Sequence, residues 1–228
     1  MSTATLAPPP LVHGQRLDDD EFMRRCEAMP DVKAELINGV VYIMASPVSL
    51  IHGSPHLDLA TWAGFYKAFT SDIDGGDNTT TRLARDNIPQ PDVMLFIPKS
   101  HGGNASMGAD GYLAGVPEFV GEVAWSSIDY DRDIKRPMFQ RTGVREFFLW
   151  NVDEQTIEWS ILRAGEYELL TPDANGIIHS ETFPGLWLDV EAMVRRDTGS
   201  VIRMLQQGIA SPEHARFVEK LQAAAKKG

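Results

Sequence analysis

The chain has 228 residues, of which 43% are hydrophobic and 23% are charged. This length and composition support one sizeable folded core, and they exclude a disordered tail, a collagen-like rod and a disulfide-stabilised scaffold. Lysine and arginine together number 21 against 32 aspartate and glutamate residues, so the formal net charge is −11. A polyanionic partner would therefore have to be held by a local basic patch or by bound metal ions.

Three absences in the sequence limit its compartment and cofactors. The single cysteine, Cys26, cannot form an internal disulfide, and no apolar run approaches the roughly 20 residues that span a bilayer. The amino terminus also lacks the basic start and apolar centre of a secretory signal. We therefore expect a cytoplasmic protein without a membrane partner. No Walker loop or dinucleotide fingerprint occurs, so no nucleotide cofactor is expected.

The chain is predicted to divide into a flexible segment over residues 1–16, a folded domain over residues 17–190 and a helical extension over residues 191–228. The domain opens with a short amphipathic helix within Leu17–Pro30, which starts with acidic residues and ends on a proline. Asn38 and Gly39 then separate two apolar runs and supply the positive φ angles of a tight turn, which predicts a hairpin over residues 33–45.

The middle of the chain mixes helix and strand signals. A largely apolar helix is predicted within Pro47–Thr70, and strands are predicted at Thr79–Ala84, Pro91–Ile97 and Phe119–Ala124. The glycine-rich stretch Lys99–Val116 has little periodicity, so it is predicted to be a long surface loop.

The last third of the sequence also alternates between helix signals and strand signals. Its predicted elements are a helix at Ile134–Thr142, strands at Glu146–Asn151, Thr156–Leu162 and Glu166–Leu170, and helices near Glu191–Gln207 and Ser211–Lys227. Strands interleaved with helices favour an α/β fold with a mixed central sheet flanked by helices.

Three acidic residues lie within apolar strand-like runs: Glu35, Asp92 and Glu122. Burying an ionised carboxylate without a partner costs several kcal/mol, so each needs a cation, hydrogen-bond donors or an exposed strand end. One divalent metal would satisfy all three, and Mg²⁺ prefers such oxygen ligands. In the alternative interpretation, Asp92 caps a turn, Glu122 faces water at an edge and Glu35 pairs with a nearby basic residue.

Lys135 lies near the start of the helix that follows the Glu122 strand. Pro137 requires a helix start near Asp133, which places Lys135 in the first turn and directs it toward the adjacent strand end. There its amine could meet a metal-bound phosphate or water. The alternative is a solvated lysine in a weak ion pair with Asp131.

Two histidines four residues apart, His52 and His56, have the spacing of helical zinc ligands. The glutamate of a metalloprotease motif is replaced by Gly53, and Pro55 disturbs the helix. The sequence therefore does not predict a zinc protease, and His56 is interpreted as a surface residue.

Three stretches taken in order carry a family resemblance: Ala34–Gly53 with its ELING hairpin, Gln90–Val93 with its PD pair, and Pro117–Asn151 with its E-V strand, D-x-x-x-K helix start and G-V-x-E-F turn. Over about Glu21–Leu170, the chain resembles the PD-(D/E)XK nuclease superfamily and, within it, the Uma-type restriction endonuclease family. The resemblance implies a restriction-endonuclease-like mixed central sheet flanked by helices, with an N-terminal hairpin and C-terminal helices.

The resemblance also implies roles for individual residues. It assigns metal binding to Asp92 and Glu122, a supporting acidic role at the metal to Glu35, and the role of catalytic lysine to Lys135. In the superfamily's E-x-K signature the lysine lies two residues after the glutamate, where this chain has Ala124. In the Uma-type branch the lysine has moved to the following helix, which matches Lys135.

The function implied by the resemblance is hydrolysis of DNA phosphodiester bonds by an endonuclease that depends on Mg²⁺ or Mn²⁺. His52, Arg132 and Arg136 are candidates for contact with DNA. The alternative is a capping or packing role for His52 and a solvated helix face for the two arginines. A homodimer is expected, because many nucleases of the superfamily pair to cut two strands. The alternative function is a catalytically silent nuclease fold that binds nucleic acid or protein.

Overall fold

The computed structural model describes residues 8–44 and 48–226. Parts of four predicted features lie outside these ranges. They are residues 1–7 of the predicted flexible segment, residue 45 of the predicted hairpin, residue 47 of the stretch with the next predicted helix, and residue 227 of the predicted terminal helix.

Six α-helices can be traced in the described ranges, and the third follows a turn of π-helix. They are α1 (Asp19–Ala28), α2 (Leu50–Phe69), α3 (Arg136–Thr142, preceded by the π-helical turn Tyr130–Lys135), α4 (Val190–Val194), α5 (Thr198–Ile209) and α6 (Pro212–Ala225). None of them is long and apolar enough to cross a membrane.

The strands belong to one central sheet and three small sheets. They are β1 (Ala34–Ile37), β2 (Val40–Ile43), β3 (Asp74–Asp77), β4 (Thr81–Arg82), β5 (Val93–Phe96), β6 (Ala105–Met107), β7 (Leu113–Gly115), β8 (Phe119–Ala124), β9 (Glu146–Asn151), β10 (Thr156–Arg163), β11 (Glu166–Leu169), β12 (Ile177–His179) and β13 (Trp187–Asp189).

The central sheet is mixed, with the strand order β11-β10-β9-β8-β5-β3. Strands β8 and β9 pair in parallel and are joined through α3, whereas the other neighbours in this sheet are antiparallel. A parallel pair needs a crossover connection, and α3 provides it. The predicted α/β fold with a mixed central sheet flanked by helices is thereby confirmed.

Both faces of β8 are buried, and they pack against different elements. Phe119 and Val123 join the core formed with α2, α5 and α6, whereas Val120 and Ala124 join a second core with α3. Because side chains alternate between the faces of a strand, Glu122 shares its face with Val120 and Ala124. This alternation directs a carboxylate toward α3 from the middle of the sheet.

The predicted hairpin is present as β1 and β2. Asn38 and Gly39 have φ angles of 53° and 73°, the left-handed conformation that their sequence indicates. The register places Glu35 opposite Tyr42. The hairpin is fixed to the rest of the fold by reciprocal backbone hydrogen bonds between Leu36 and Ile88.

The structure corrects the predicted surface loop over Lys99–Val116. This stretch contains a 3₁₀ turn and the strands β6 and β7, which form a small sheet with β4. Ala105 and Leu113 are buried in the core beside α3. Two short strands that each bury few residues produce too little periodicity to be read from the sequence.

Two predicted helices also have different bounds. The predicted helix near Glu191–Gln207 is divided into α4 and α5, because Arg196 has a φ of 61° and Asp197 caps α5 by accepting from Ser200 N–H. The helical turns before α3 begin at Ile128 and are π-helical from Tyr130, whereas the predicted start was near Asp133. A π-helical turn absorbs this earlier start, because its wider bonding pattern leaves room for a proline that lacks an N–H.

Glu146, at the start of β9, lies fully buried in a ring of donors. Its carboxylate accepts hydrogen bonds from Trp159 Nε1, Ser180 Oγ, and the backbone N–H groups of Glu181 and Thr182, at 2.7–3.0 Å. We expect Glu146→Ala to lower the free energy of unfolding by about 3 kcal/mol, because it leaves several buried donors without an acceptor. Urea denaturation measures this loss, and a change below about 1 kcal/mol would contradict it.

His214 gives the fold a dependence on pH. It is buried in α6, its Nε2 lies 2.9 Å from Thr70 Oγ1, and burial lowers its pKa below the ordinary value. The unfolded chain therefore takes up this proton more readily than the folded chain, so the stabilisation is present above the ordinary histidine pKa of about 6.5 and declines as the pH falls below it. We expect the stability of the wild type to fall relative to His214→Gln between pH 7 and 5, as measured by urea denaturation. An unchanged difference would contradict this role of His214.

Candidate active site

The pairing of β5 with β8 brings two acidic residues together. Val93 lies opposite Gly121, so Asp92, which immediately precedes β5, lies beside Glu122. Asp92 N is 3.4 Å from Glu122 Oε2, and Asp92 Oδ2 accepts a hydrogen bond of 2.8 Å from Val123 N–H. Both side chains are buried. In the alternative interpretation Asp92 caps a turn and Glu122 faces water at a sheet edge. Neither description fits these two buried side chains.

Glu35 reaches the same place from the hairpin. It is 1% exposed, and its carboxylate accepts from Gln90 N–H at 2.6 Å and from the Tyr130 hydroxyl at 2.8 Å. These two donors come from the segment before β5 and from the π-helical turn. They fix the orientation of Glu35 between the hairpin and the sheet.

Lys135 joins these carboxylates. Its Nζ lies 2.6 Å from Glu122 Oε1, 3.1 Å from Glu35 Oε1 and 3.8 Å from Asp131 Oδ1. The side chain is only 3% exposed, so Lys135 is not the solvated lysine of the alternative interpretation. Glu35, Asp92, Glu122, Asp131 and Lys135 are hereafter called the Lys135 cluster.

One oxygen of the cluster lacks a hydrogen bond. Glu122 Oε1 is buried and close to Lys135 Nζ, but no donor within the described ranges meets hydrogen-bond geometry at this atom. The distance of 2.6 Å to Lys135 Nζ is that of an ion pair, and a carboxylate oxygen has a second lone pair for another partner. A buried oxygen in this condition could accept a further positive ligand.

The cluster contains more negative than positive groups. Four buried carboxylates face one ammonium, which leaves three negative charges in excess when all are ionised. Burial raises the pKa of Glu122 well above its ordinary value although Lys135 opposes the rise, and burial raises that of Asp131 to about 6. Burial would lower the pKa of Lys135, but Glu122 and the other carboxylates together raise it well above the usual value. The cluster therefore favours uptake of a cation.

The cluster opens into a cleft with a volume of about 240 Å³. Its rim includes His52 from α2 and Trp125, which follows β8 and is 38% exposed. Asp92 and Glu122 both line the cleft. It also gives the buried carboxylates an approach from solvent.

His52 and His56 stand beside Asp92 on the α2 side. Within the described ranges, one group of three possible metal-ligand atoms has all its members within 4.8 Å of one another. These atoms belong to His52, His56 and Asp92. The sequence interpretation of His56 as a surface residue is wrong, because its side chain is largely buried against Asp92 and Asp77. Pro55 lies inside α2 and does not end it.

Arg132 and Arg136 are directed away from the cleft. Arg132 Nη2 lies 2.9 Å from Glu158 Oε1 on β10, and the Arg136 guanidinium lies 5.3 Å from the centre of the Tyr167 ring on β11. Neither residue lines the cleft. Their contact with DNA stays a prediction.

Sequence reasoning missed Tyr130 as a part of the site and Asp131 as more than a partner of Lys135. Tyr130 precedes Asp131 at the start of the π-helical turn, and its hydroxyl is a donor to Glu35. No local pattern identifies this contact, because the two residues are 95 positions apart. The spacing of four residues between Asp131 and Lys135 was the available signal for Asp131.

Comparisons with known proteins agree on the class of fold. The sequence model of the Uma2 family, described as "Putative restriction endonuclease", matches residues 19–191. A crystal structure described as a "putative nuclease belonging to DUF820" from Anabaena variabilis ATCC 29413 superposes with a TM-score of 0.59 at 18% identity, covering 78% of this chain and 98% of that chain. At that identity the likeness shows the fold alone. No curated protein matches the sequence.

Proposed function

We propose that this chain, which belongs to the Uma2 family of restriction-endonuclease-like proteins, hydrolyses DNA phosphodiester bonds with the help of a divalent cation. The observation that carries the proposal is the Lys135 cluster. Asp92 and Glu122 lie side by side at a cleft, and the ammonium of Lys135 lies 2.6 Å from Glu122. Positive groups at this place would stabilise the charge that builds on a phosphate during cleavage.

Asp92 and Glu122 would hold the cation, with Glu35 in support. The residues fit a hard divalent ion because their donors are carboxylate oxygens, the cluster carries excess negative charge, and Glu122 Oε1 lacks a hydrogen bond. When bound, Mg²⁺ or Mn²⁺ polarises a phosphate oxygen and lowers the pKa of a coordinated water.

Lys135 would act on the substrate from beneath the cleft. Its ammonium is held by Glu122 and Glu35, and Glu35 is in turn held by Tyr130 and Gln90 N–H. This fixed amine can orient the attacking water or stabilise the phosphate oxygens as negative charge develops. The burial of its stem restricts the motion of the amine and keeps it near the carboxylates.

DNA is the proposed substrate although the net charge is −11. Bound cations would supply the local positive field that bulk charge does not, and His52 is the proposed protein contact to DNA at the cleft. Arg132 and Arg136, which lie outside the cleft, would contact only the flanking DNA backbone. We also propose a homodimer, since two sites related by a two-fold axis can cut both strands of a duplex in one binding event. Sedimentation velocity measures that oligomeric state.

A cleavage assay on supercoiled plasmid and on single-stranded DNA tests the function. We expect nicking or linearisation with Mg²⁺ or Mn²⁺, and none with EDTA. A catalytically silent nuclease fold would instead bind DNA in a mobility-shift assay and leave it intact under all metal conditions. That second result would contradict the proposed function.

A further inference from the structure

The two histidines of α2 face the outer oxygen of Asp92. His52 Nε2 lies 3.8 Å from Asp92 Oδ1, and His56 Nδ1 lies 3.9 Å from the same oxygen. Both distances are too long for hydrogen bonds. They suit two ligands of one ion, because bonds of about 2.1 Å to a metal place neighbouring ligand atoms about 3–4 Å apart.

The tautomer of His56 follows from its other nitrogen. His56 Nε2 lies 2.6 Å from Asp77 Oδ1, and an ionised carboxylate can only accept, so Nε2 carries the proton. In the neutral ring, Nδ1 then presents its lone pair toward Asp92. A carboxylate that orients an imidazole through its remote N–H is a usual companion of metal-binding histidine.

Asp92 Oδ1 is correspondingly free of hydrogen bonds. Val123 N–H binds the other oxygen, Oδ2, and no donor in residues 8–44 or 48–226 bonds to Oδ1. The Asp92 side chain is 91% buried, since 9% of it is exposed. With the neutral His56 ring, a carboxylate oxygen without a hydrogen bond and a nitrogen lone pair therefore face each other at 3.9 Å.

Helix α2 places His52 and His56 side by side. His52 and His56 are four residues apart, so they project from the same face of α2. Their ring centres lie 5.7 Å apart with planes crossing at 77°. Such rings can direct one nitrogen each toward a common point without moving the helix.

We propose that His52, His56 and Asp92 bind one borderline transition-metal ion of the Mn²⁺, Co²⁺ or Zn²⁺ type, beside the all-oxygen site of Asp92 and Glu122. Imidazole suits Co²⁺ and Zn²⁺ and binds Mn²⁺ more weakly, whereas Mg²⁺ favours carboxylate, carbonyl and water oxygens and usually keeps its waters. This proposal rests on the proposed function in one respect: Asp92 would bind both this ion and the cation that Asp92 and Glu122 hold for cleavage. It makes the protein selective for Mn²⁺ over Mg²⁺.

Titration calorimetry with MnCl₂ on the full chain without DNA tests the proposal. We expect His52→Ala and His56→Ala each to raise the Kd for Mn²⁺ at least tenfold, while the Kd for Mg²⁺ changes less than threefold. Nitrogen couplings in pulsed electron paramagnetic resonance spectra of bound Mn²⁺ should be present in the wild type and weakened in both variants.

His101→Ala is the matched control. His101 also faces an aspartate, with Nε2 3.3 Å from Asp72 Oδ1, and its exposure is similar to that of the two histidines in α2. It should leave the Mn²⁺ affinity unchanged. Circular dichroism checks that α2 is intact in each variant, and His56→Gln gives a second, polar replacement at the same position.

Failure of this proposal differs from failure of the proposed function. Unchanged Mn²⁺ affinity and absent nitrogen couplings would overturn the imidazole site even if DNA is cleaved. Loss of Mn²⁺ affinity in His52→Ala and His56→Ala, but not in His101→Ala, would support the site even if no DNA is cleaved under any metal condition.

Discussion

Asp92→Asn is expected to reduce DNA cleavage by about 10³-fold, which corresponds to roughly 4 kcal/mol of transition-state stabilisation. The substitution removes one negative charge from the place where a divalent cation would bind. It keeps the shape of the side chain, and an asparagine oxygen can still accept from Val123 N–H. The loss should therefore appear in rate and in metal affinity and not in folding.

The measurement is a single-turnover cleavage assay at saturating Mg²⁺ or Mn²⁺, with thermal denaturation of the same preparations. Asp74→Asn is a suitable control, because Asp74 lies on the neighbouring strand β3 and pairs with Lys67 at the surface. Cleavage by Asp92→Asn within threefold of the wild type would remove Asp92 from the cation site.

Lys135→Met should damage both activity and stability. Methionine keeps the apolar stem and removes the ammonium, so the carboxylates of the Lys135 cluster lose their internal cation. Removing one partner of a buried ion pair costs about 3–5 kcal/mol, and the loss of a group that stabilises phosphate charge costs about 10²–10³-fold in rate. Urea denaturation in EDTA and single-turnover cleavage measure the two effects.

The metal dependence of Lys135→Met separates the site from an ordinary buried salt bridge. A divalent ion can replace the lost positive charge, so Mg²⁺ or Mn²⁺ should restore part of the stability without restoring the rate. Lys135→Arg keeps a charge with a different shape and should be less destabilised. A metal-free Lys135→Met protein as stable as the wild type would contradict the role of Lys135 in the cluster.

The local features of the fold were the easiest to predict from the sequence. Asn38 and Gly39 indicate the turn between β1 and β2 because few residue pairs tolerate two positive φ angles in succession. Ser211 before Pro212 likewise indicates the start of α6. Such signals act over a few residues and do not depend on the rest of the chain.

The assembly of the site could be predicted only in outline. Carboxylates within apolar runs indicated Glu35, Asp92 and Glu122, the helix start before Pro137 indicated Lys135, and family resemblance assigned it the catalytic role. The distance between Asp92 and Glu122 depends on the register of β5 against β8, two strands that lie far apart in the sequence and pair only in the folded sheet. The contact of Tyr130 with Glu35 depends on the π-helical turn, for which the sequence carries no clear pattern.

His56 shows where a local rule was applied too strictly. Pro55 was taken to disturb the helix, yet it lies near the start of α2, where a missing N–H removes one hydrogen bond and leaves the rest of the helix intact. The strand β3, with Gly75 and Gly76, was missed for a different reason. A β-carbon on Gly75 would lie 2.6 Å from Met94 O, so close strand packing rather than strand propensity determines its sequence.

Crystals soaked in MnCl₂ would test the central claim that the Lys135 cluster binds a divalent cation. We expect an anomalous difference peak about 2.2 Å from the carboxylate oxygens of Asp92 and Glu122. A second peak would lie between Asp92 and the histidines of α2. Clear density for both carboxylates, with no manganese near Asp92 at saturating concentration, would contradict the metal site and the proposed hydrolysis that depends on it.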